Sequence, residues 1–282
     1  MPSAPEILRL AAFTDTPTGG NPAGVVLDAS ALDAKQMQAI AAEVGYSETA
    51  FVTDPAAYVV RYFSPVAEVP FCGHATIAMG VALAERDGPG DLVLATVVGP
   101  VAVATRDDGA GITSTLTSVA PHIEPAIADD DLDPALHALG WRPDDLDATL
   151  PPRIAFAGAR HLILAARTRE RLARLDYDFD ALNAYMSARE LTTVDLVFRQ
   201  DVTTFHARNP FPVGGVVEDP ATGAAAAAFG AYLRALELVT PPVRITIHQG
   251  EDMGRPSLLH VDLDTDPASG VRVTGRAVRI PA

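Results

Sequence analysis

"EVPFCGHATIAMGVALAE" (residues 68–85) has a second copy 150 positions further along the chain, "EDPATGAAAAAFGAYLRA" (residues 218–235). Seven of the 18 aligned positions are identical without a gap: Glu68/Glu218, Pro70/Pro220, Gly73/Gly223, Ala75/Ala225, Ala78/Ala228, Gly80/Gly230 and Leu83/Leu233. A weaker echo relates "GGNPAGVVL" (residues 19–27) to "AGARHLILA" (residues 157–165). Self-similarity at a fixed spacing indicates a duplicated structural unit. The two halves of the chain are therefore predicted to share one architecture.

Each copy is apolar on nearly all sides after its glycine, Gly73 or Gly223. A helix without a polar face must be buried. The flanking segments instead alternate apolar and polar residues, and glycine-rich turns punctuate them in the manner of hairpins. We therefore predict an α+β fold of two pseudo-symmetric domains, each a curved and mostly antiparallel sheet wrapped around a central buried helix.

The predicted boundary between the domains lies in residues 120–153, which are dense in proline and aspartate and contain one short predicted helix near 131–139. We assign an N-terminal domain to residues 1–119 and a C-terminal domain to residues 120–282. The last strand, near 270–282, can pack back onto the first domain. A chain of 282 residues with 48% hydrophobic residues is long enough to bury two cores.

One further helix is predicted before the first copy. Its apolar residues recur at i, i+3, i+4 and i+7, at Met37, Ile40, Ala41 and Val44. A start signal at Ser30 or Asp33 precedes them and Gly45 supplies the stop. Glu48 follows at once, at the beginning of an alternating strand.

Composition excludes several classes of protein. The 36 acidic residues outnumber the 21 basic ones, a net charge of -15, which argues against a nucleic-acid partner. No apolar stretch approaches the roughly 20 residues that span a membrane. The opening "MPSAPEILRL" shows no export signal, and the single cysteine cannot form an internal disulfide, so a cytoplasmic location is expected. The seven histidines lack metal-ligand spacing, and nucleotide-binding motifs are missing, so neither a metal nor a bound nucleotide is expected.

The predicted helix starts are the candidate site. The first turn of a buried helix presents unpaired N–H groups and the positive end of its dipole to an anion. We expect the two starts to face each other across an interdomain cleft that holds a substrate carboxylate. Among the positions where the copies differ there, three involve polar or reactive side chains, with His74 opposite Ala224, Cys72 opposite Thr222, and Asp219 opposite Val69.

Each of these residues also has a structural interpretation. The glycines at 73 and 223 can simply allow a tight entry into a packed helix. His74 can be a satisfied core residue, and Asp219 can cap the helix that follows it. Glu48 shares its predicted strand face with Ala50 and Val52, a setting that suits proton transfer, but it can equally be a surface residue at a strand start.

Five ordered motifs carry a resemblance to a known family. "GGNPAGVVL", "SETAFV", "RYFSPVAEVPFCGHATIA", "EDPATGAAAAA" and "HQGEDMGRPS" together resemble the phenazine-biosynthesis (PhzF-like) isomerases, from near residue 10 to about residue 280. The resemblance implies the two-domain fold of the diaminopimelate-epimerase type, a site between the domains, a homodimer, and no cofactor. It also implies an isomerase of a biosynthetic process that acts on a small carboxylate-bearing metabolite.

The resemblance also implies roles for individual residues. The family's acid/base glutamate matches Glu48, its histidine matches His74 and its aspartate matches Asp219, all as catalytic residues. Substrate contacts are expected at the motif positions Asn21, Gly73, Thr222, Gly223 and Ala224, with the two glycines as backbone oxyanion donors. The family commonly has serine where this chain has Ala224, so a side-chain hydroxyl contact to the substrate is missing.

Three functions stay open on the sequence alone. The first is a proton shift or epimerisation performed by Glu48. The second is a catalytically silent protein that binds small anions, which Ala224 favours. The third is an amidase-like enzyme with Cys72 as nucleophile beside His74; the setting of Cys72 at a helix start favours packing instead. Arg61 and Arg255 lie in family motifs, where they either bind a carboxylate or hold the loops.

Overall fold

The computed structural model describes residues 5–281. Residues 1–4, which begin the segment considered for an export signal, and residue 282 lie outside the described residues. Within residues 5–281 the helices are α1 (Ala34–Val44), α2 (Gly73–Asp87), α3 (Asp129–Ala138), α4 (Arg169–Ala173), α5 (Phe179–Ala188) and α6 (Gly223–Ala235). No helix in this range is long and apolar enough to cross a membrane.

The strands divide between the halves of the chain. The first half contains β1 (Leu8–Ala12), β2 (Asn21–Val26), β3 (Glu48–Asp54), β4 (Val59–Phe63), β5 (Glu68–Val69), β6 (Asp91–Thr96), β7 (Gly99–Asp107) and β8 (Ile112–Thr117). The second half contains β9 (His122–Ile123), β10 (Arg153–Phe156), β11 (Arg160–Ala165), β12 (Thr193–Arg199), β13 (Thr204–Phe211), β14 (Val216–Asp219), β15 (Val243–Gln249), β16 (Ser257–Leu263) and β17 (Arg272–Arg279).

The chain forms two compact units. Unit 1 is Met1–Thr117 together with Thr274–Ala282, and unit 2 is Ser118–Val273. Strand β17 therefore joins unit 1 from Thr274 onward, where it pairs with β1 and β8. The proline-rich and aspartate-rich segment lies within unit 2, where α3 packs against α5.

The order of strand pairing is the same in the two halves. In the first half, β1–β2 is antiparallel, β2–β3 is parallel, β3–β4 and β4–β5 are antiparallel, β4–β6 is parallel and β6–β7 is antiparallel. The series from β10–β11 to β15–β16 repeats these directions pair by pair. The duplication signalled by residues 68–85 and 218–235 thus extends to the whole sequence of pairings.

The parallel pairs add to the prediction of a mostly antiparallel sheet, whose segments the sequence presented as hairpins. A helix lies in the chain between the two strands of each pair, α1 in β2–β3, α2 in β4–β6, α4 and α5 in β11–β12, and α6 in β13–β15. Such crossovers are the usual connection between parallel strands. Alternation within a strand predicts the strand but not the direction of its neighbour, which is why the sequence did not show them.

The two helices predicted to be buried are buried. In α2 every residue from His74 to Ala84 is buried, and in α6 the same holds from Ala225 to Arg234. Helix α2 packs against β1, β2, β3, β7 and β8 of unit 1, and α6 packs against β9, β10, β11, β12 and β16 of unit 2. Each unit therefore has its repeated helix in its own core.

The glycine shared by these helices lies where a strand side chain meets the helix backbone. A methyl group at Gly80 would lie 2.4 Å from Ser114 Oγ, and one at Gly230 would lie 2.6 Å from Val261 Cγ1 and 3.0 Å from Leu263 Cδ2. Both distances are below van der Waals contact. The identity of these two positions in the repeat therefore reflects close helix–sheet packing.

Gly230→Ala is expected to lower the free energy of unfolding by roughly 1–3 kcal/mol, because an extra methyl in a packed core forces its neighbours apart. The measurement is the midpoint of urea unfolding. Gly90→Ala is the matched control, since nothing lies within 4 Å of the added methyl. Equal midpoints for the two variants would contradict the packing explanation.

Helix α1 agrees with its sequence signals. Asp33 is its N-cap and forms a capping box with Gln36, and Gly45 ends it in the left-handed conformation with φ 70°. Helices α4 and α5 were not predicted. For α5 a signal was present, because the Asp178 side chain caps it and Leu182, Tyr185 and Met186 are its buried positions.

Candidate active site

Strand β3 and helix α2 bring Glu48 and His74 together in unit 1. Glu48 begins β3, and the alternation of side chains places it on the same strand face as Ala50 and Val52, opposite to Phe51, which packs in the core cluster of α1. His74 is in the first turn of α2. His74 Nε2 lies 3.5 Å from Glu48 Oε2, and the two side chains are 7% and 18% exposed.

Cys72 is the third member of this cluster. Its Sγ lies 3.5 Å from Glu48 Oε2, 3.3 Å from His74 Nδ1 and 3.8 Å from His74 Nε2. The interpretation of Cys72 as packing alone is therefore incomplete, because the sulfur contacts both predicted catalytic side chains. Cys72 is also the N-cap residue of α2, in an extended conformation.

Ser47 completes the cluster and was not predicted. Its Oγ lies 3.4 Å from His74 Nε2. The Cys72 thiol donates to Glu48 Oε2, and the direction of the contact between Ser47 and His74 depends on which ring nitrogen of His74 holds the proton. The only signal in the sequence was the position of Ser47 directly before Glu48 in "SETAFV".

Hydrogen bonds through Thr76 connect the start of α2 to Tyr62 of β4. Thr76 Oγ1 donates to the Cys72 carbonyl at 2.7 Å and shares a 2.7 Å hydrogen bond with the Tyr62 hydroxyl. Burial raises the pKa of Tyr62, so this hydroxyl stays protonated. Gly73, the first residue of α2, follows Cys72 directly, and its N–H belongs to the helix turn that lacks intrahelical acceptors.

Arg61 is held by a protein carboxylate in this structure. Its Nε and Nη2 donate to the two carboxylate oxygens of Glu68 at 2.7 and 2.6 Å. Hydrogen bonding to Glu68 raises the pKa of Arg61, and the same bonds lower the pKa of Glu68. This pairing favours the role of holding the motif loop over that of binding a substrate carboxylate.

Asp219 and Thr222 form a second group of predicted residues, in unit 2. Thr222 is the N-cap residue of α6, and its hydroxyl donates to Asp219 Oδ2 at 2.5 Å. Gln249, at the end of β15, ties the turn together: its Nε2 donates to the Asp219 carbonyl at 2.8 Å and to Thr222 Oγ1 at 3.0 Å, and its Oε1 accepts from Thr222 N. Gln249 was missed although it lies in the motif "HQGEDMGRPS".

The other predicted substrate contacts are divided between the two units. Gly223 and Ala224 begin α6 directly after Thr222. Asn21 begins β2, is buried, and lies opposite Ala12 of β1. The common cleft expected for the residues of both units stays a prediction.

A buried series of hydrogen-bonded side chains lies beside β14, the strand that contains Asp219. By strand register Thr193 is the counterpart of Glu48, since it lies opposite His161 in β11–β12 as Glu48 lies opposite Ala23 in β2–β3. His161 Nδ1 lies 2.8 Å from Thr193 Oγ1, and Thr193 Oγ1 donates to Asn209 Oδ1 at 2.6 Å.

This series of hydrogen bonds ends at Asp195. Asn209 Nδ2 donates to Asp195 Oδ1 at 3.1 Å. Asn209 also lies opposite Asp219 in the pairing of β13 with β14. Because the Thr193 hydroxyl donates its proton to Asn209, its oxygen accepts from His161. The proton of the neutral His161 ring is therefore on Nδ1. Burial lowers the pKa of His161 to about 3, and burial raises the pKa of Asp195 to about 7.

Asp195→Asn is expected to stabilise the protein at alkaline pH relative to the unchanged chain. The folded-state pKa of Asp195 is raised from 3.8 to about 7, so its contribution to stability is fully present below 3.8 and is lost as the pH rises to about 7. An asparagine at position 195 carries no charge, so it avoids this loss of stability, and its side-chain oxygen still accepts the hydrogen bond from Asn209 Nδ2.

The measurement is the melting temperature of both proteins at about pH 5 and pH 8. The gain should be larger at the higher pH. The lowered pKa of His161 makes the folded protein lose stability as the pH falls. Both proteins contain His161, so this effect cancels in the difference between their melting temperatures. A gain that is equal at the two pH values would contradict the buried carboxyl as its source.

Comparisons with known proteins bear on this geometry. The family model described as phenazine biosynthesis-like protein matches residues 10–281. The uncharacterized isomerase YddE of Escherichia coli O157:H7 is 32% identical over 97% of this chain and 96% of its own. A trans-2,3-dihydro-3-hydroxyanthranilate isomerase of Pseudomonas chlororaphis is 32% identical over 95% of this chain and 94% of its own. A PhzF-family phenazine biosynthesis protein of Bacillus anthracis superimposes with a TM-score of 0.87 at 26% identity, covering 98% of this chain and 96% of that one.

Proposed function

Because the chain belongs to the phenazine biosynthesis-like family of isomerases, we propose that it shifts a proton within a small carboxylate-bearing metabolite, without a cofactor and with Glu48 as the acid and base. One observation carries the proposal. The Glu48 carboxylate, Cys72 Sγ and His74 Nε2 lie within 3.8 Å of one another at the start of the buried helix α2.

The reaction consists of two proton transfers. Glu48 takes a proton from a carbon next to a conjugated system, the electron pair delocalises, and Glu48 returns a proton to a different carbon, directly or through His74. A positioned base contributes about 10²–10⁴-fold. The negative charge that develops on the substrate is stabilised by the N–H groups at the start of α2, beginning with Gly73.

Residues of unit 2 have a part in the same proposal. We assign Asp219 a second proton-handling role, Gly223 an oxyanion-binding N–H, and substrate contacts to Thr222, Ala224 and, from unit 1, Asn21. The hydrogen bonds of Thr222 and Gln249 support this role, because they fix Asp219 and the start of α6 in one position.

The substrate is proposed to differ from that of the relative from Pseudomonas chlororaphis, whose name gives trans-2,3-dihydro-3-hydroxyanthranilate. Ala224 supplies no hydroxyl at the start of α6. A site built to bond a substrate hydroxyl or amine discriminates strongly, and losing one bonding group alters that selection.

The test is deuterium incorporation. The protein is incubated in heavy water with a panel of carboxylates that have an acidic C–H, including trans-2,3-dihydro-3-hydroxyanthranilate, unsaturated ring carboxylates and α-amino acids. Proton NMR should show the loss of one C–H signal for a member of the panel. A cell extract is then incubated with the protein in heavy water, to find metabolites outside the panel that take up deuterium only when the protein is present. Binding of a carboxylate without exchange at any of its carbons would support the second candidate, a catalytically silent anion-binding protein, which Ala224 favours.

Cys72→Ala tests the amidase-like alternative. We expect exchange to fall by less than tenfold, because the alanine removes the contacts of the sulfur with Glu48 and His74 but leaves both of those side chains in the protein. A hydrolase that loses its nucleophile drops on the order of 10⁶-fold. The rate of exchange of the variant, relative to the unchanged protein, is the measurement, and a loss of the larger size would make Cys72 the reactive group.

The remaining expectations from the sequence and from the family belong to the same proposal. They are two pseudo-symmetric domains, residues 1–119 and 120–282, each with a curved sheet around its buried helix, a homodimer, and a cytoplasmic location. The pair-by-pair repetition of strand directions supports the pseudo-symmetry. Light scattering of the purified chain tests the dimer, which requires twice the mass of one chain.

A further inference from the structure

We propose that Glu48, Cys72 and His74 bind one Zn²⁺ ion and that the bound ion inhibits the enzyme. The binding stands on the geometry of the three side chains. The inhibition rests on the proposed function, because it requires Glu48 to be the base. Among residues 5–281 these three form the group of histidine, cysteine and acidic side chains whose ligand atoms lie within 4.8 Å of one another.

The three ligand atoms form a triangle of the size that zinc requires. Its sides are 3.5 Å from Cys72 Sγ to Glu48 Oε2, 3.5 Å from His74 Nε2 to Glu48 Oε2 and 3.8 Å from Cys72 Sγ to His74 Nε2. Tetrahedral zinc, with bonds of about 2.0–2.3 Å, holds such atoms about 3.3–3.6 Å apart. The separations are therefore close to those of a zinc site, and the His74 ring must turn to direct its Nε2 lone pair at the ion, because Cys72 Sγ now lies nearer to Nδ1 than to Nε2.

The chemistry of the three donors also fits zinc. Thiolate and imidazole are ligands that zinc prefers, and a carboxylate completes common three-residue sets. The Cys72 thiol loses its proton to the buffer as the sulfur–zinc bond forms, so one proton is released for each ion bound. A thiolate, a carboxylate and a neutral imidazole around Zn²⁺ have no net charge, which suits a cluster that is largely buried.

The fourth coordination position is open to water. Glu48 is 18% exposed and gives the cluster a route to solvent, while Ser47 Oγ, 3.4 Å from His74 Nε2, adds a polar neighbour. Sequence spacing did not predict the site because Cys72 and His74 are separated by one residue and the third ligand comes from β3.

Inhibition follows from the choice of ligands. A carboxylate oxygen bonded to zinc has its electron pair engaged and cannot accept a proton from carbon. The same ion fixes the His74 ring and removes its capacity to relay a proton. Zinc is therefore expected to stop exchange at one equivalent per chain, and a chelator is expected to restore it.

The experiment titrates the full chain, after chelator treatment and dialysis, with Zn²⁺ in the presence of a chromophoric zinc indicator. A parallel titration with Co²⁺ reports the ligand set, because a cobalt–thiolate bond produces a charge-transfer band in the near ultraviolet. We expect one zinc per chain, one proton released, and the cobalt band. Cys72→Ser should remove the band and weaken zinc binding by more than the roughly 10–100-fold that the loss of a partner outside the ligand shell costs. His206→Gln, at a surface histidine that bonds Glu251, should leave zinc affinity unchanged.

Each outcome decides one part of the proposal. A wild-type protein without the cobalt band, or a Cys72→Ser variant with undiminished zinc affinity, overturns the site and leaves the proposed function untouched. The band together with loss of deuterium exchange supports both parts. The band with full exchange at saturating zinc overturns the inhibition. Exchange that survives in a Glu48→Gln variant without zinc refutes the proposed function separately.

Discussion

Replacing Glu48 with glutamine is expected to reduce deuterium exchange about 10²–10⁴-fold, because the amide keeps the shape of the side chain but cannot take up a proton. Glu48 is the carboxylate in the cluster with Cys72 and His74, so no second carboxylate of that cluster can replace it. The measurement is the rate of C–H loss by proton NMR in heavy water, on the best member of the carboxylate panel.

Glu43→Gln is the matched control for this variant. It makes the same chemical change on the exposed face of α1, and its exchange rate should equal that of the unchanged protein. Melting temperatures of both variants show that the fold is intact. Equal rates for Glu48→Gln and Glu43→Gln would refute Glu48 as the base.

Replacing Arg208 with methionine is expected to lower the free energy of unfolding by about 3–5 kcal/mol, because it leaves the buried carboxylate of Glu218 without its partner. The Arg208 Nε and Nη2 atoms donate to the two oxygens of Glu218 at 2.9 and 2.5 Å, and Nη1 donates to the Ala173 carbonyl at 2.6 Å. The two side chains are only 9% and 4% exposed. Urea unfolding measures the loss.

The exposed pair of Arg61 and Glu68 provides the control. It has the same paired geometry at 31% and 35% exposure, so Arg61→Met should cost no more than about 1 kcal/mol. Removing both buried charges, with Arg208→Met and Glu218→Leu together, should recover at least half of the loss. Equal costs for the two single arginine variants would contradict burial as the source of the effect.

The Arg208 pair also matters for function. Glu218 immediately precedes Asp219 on β14, and β14 pairs with β13, which contains Arg208. Loss of the pair releases the strand that positions Asp219. We therefore expect Arg208→Met to lower exchange as well as stability, whereas Arg61→Met should lower neither strongly.

Local patterns were sufficient for several elements. The apolar spacing of Met37, Ala41 and Val44 with Asp33 and Gly45 at the ends predicted α1, and the structure has that helix with both caps. The unbroken apolar character after Gly73 and Gly223 predicted buried helices, and both are buried. These signals depend on residues within a few positions of one another, and therefore the sequence alone contains them.

The direction of strand pairing was not contained in such patterns. The apolar run of β2 and the alternation of β3 identify two strands, but their parallel pairing depends on the crossover through α1. The membership of β17 in unit 1 from Thr274 onward was likewise only one of two options on the sequence. Pairing joins segments that are distant in the chain, and the energy that selects it comes from the packing of the whole unit.

The candidate site divides in the same way. The sequence by itself determined the repeat, the family motifs, and Glu48, His74 and Asp219 as the residues to consider, because motif positions are read in one dimension. Only the tertiary structure decided that Cys72 Sγ contacts Glu48, that Ser47 Oγ contacts His74, and that Gln249 ties Asp219 to Thr222. Those contacts join a strand to a helix start across the core of a unit, and their lengths are set by sheet register and close helix packing, which no stretch of neighbouring residues encodes.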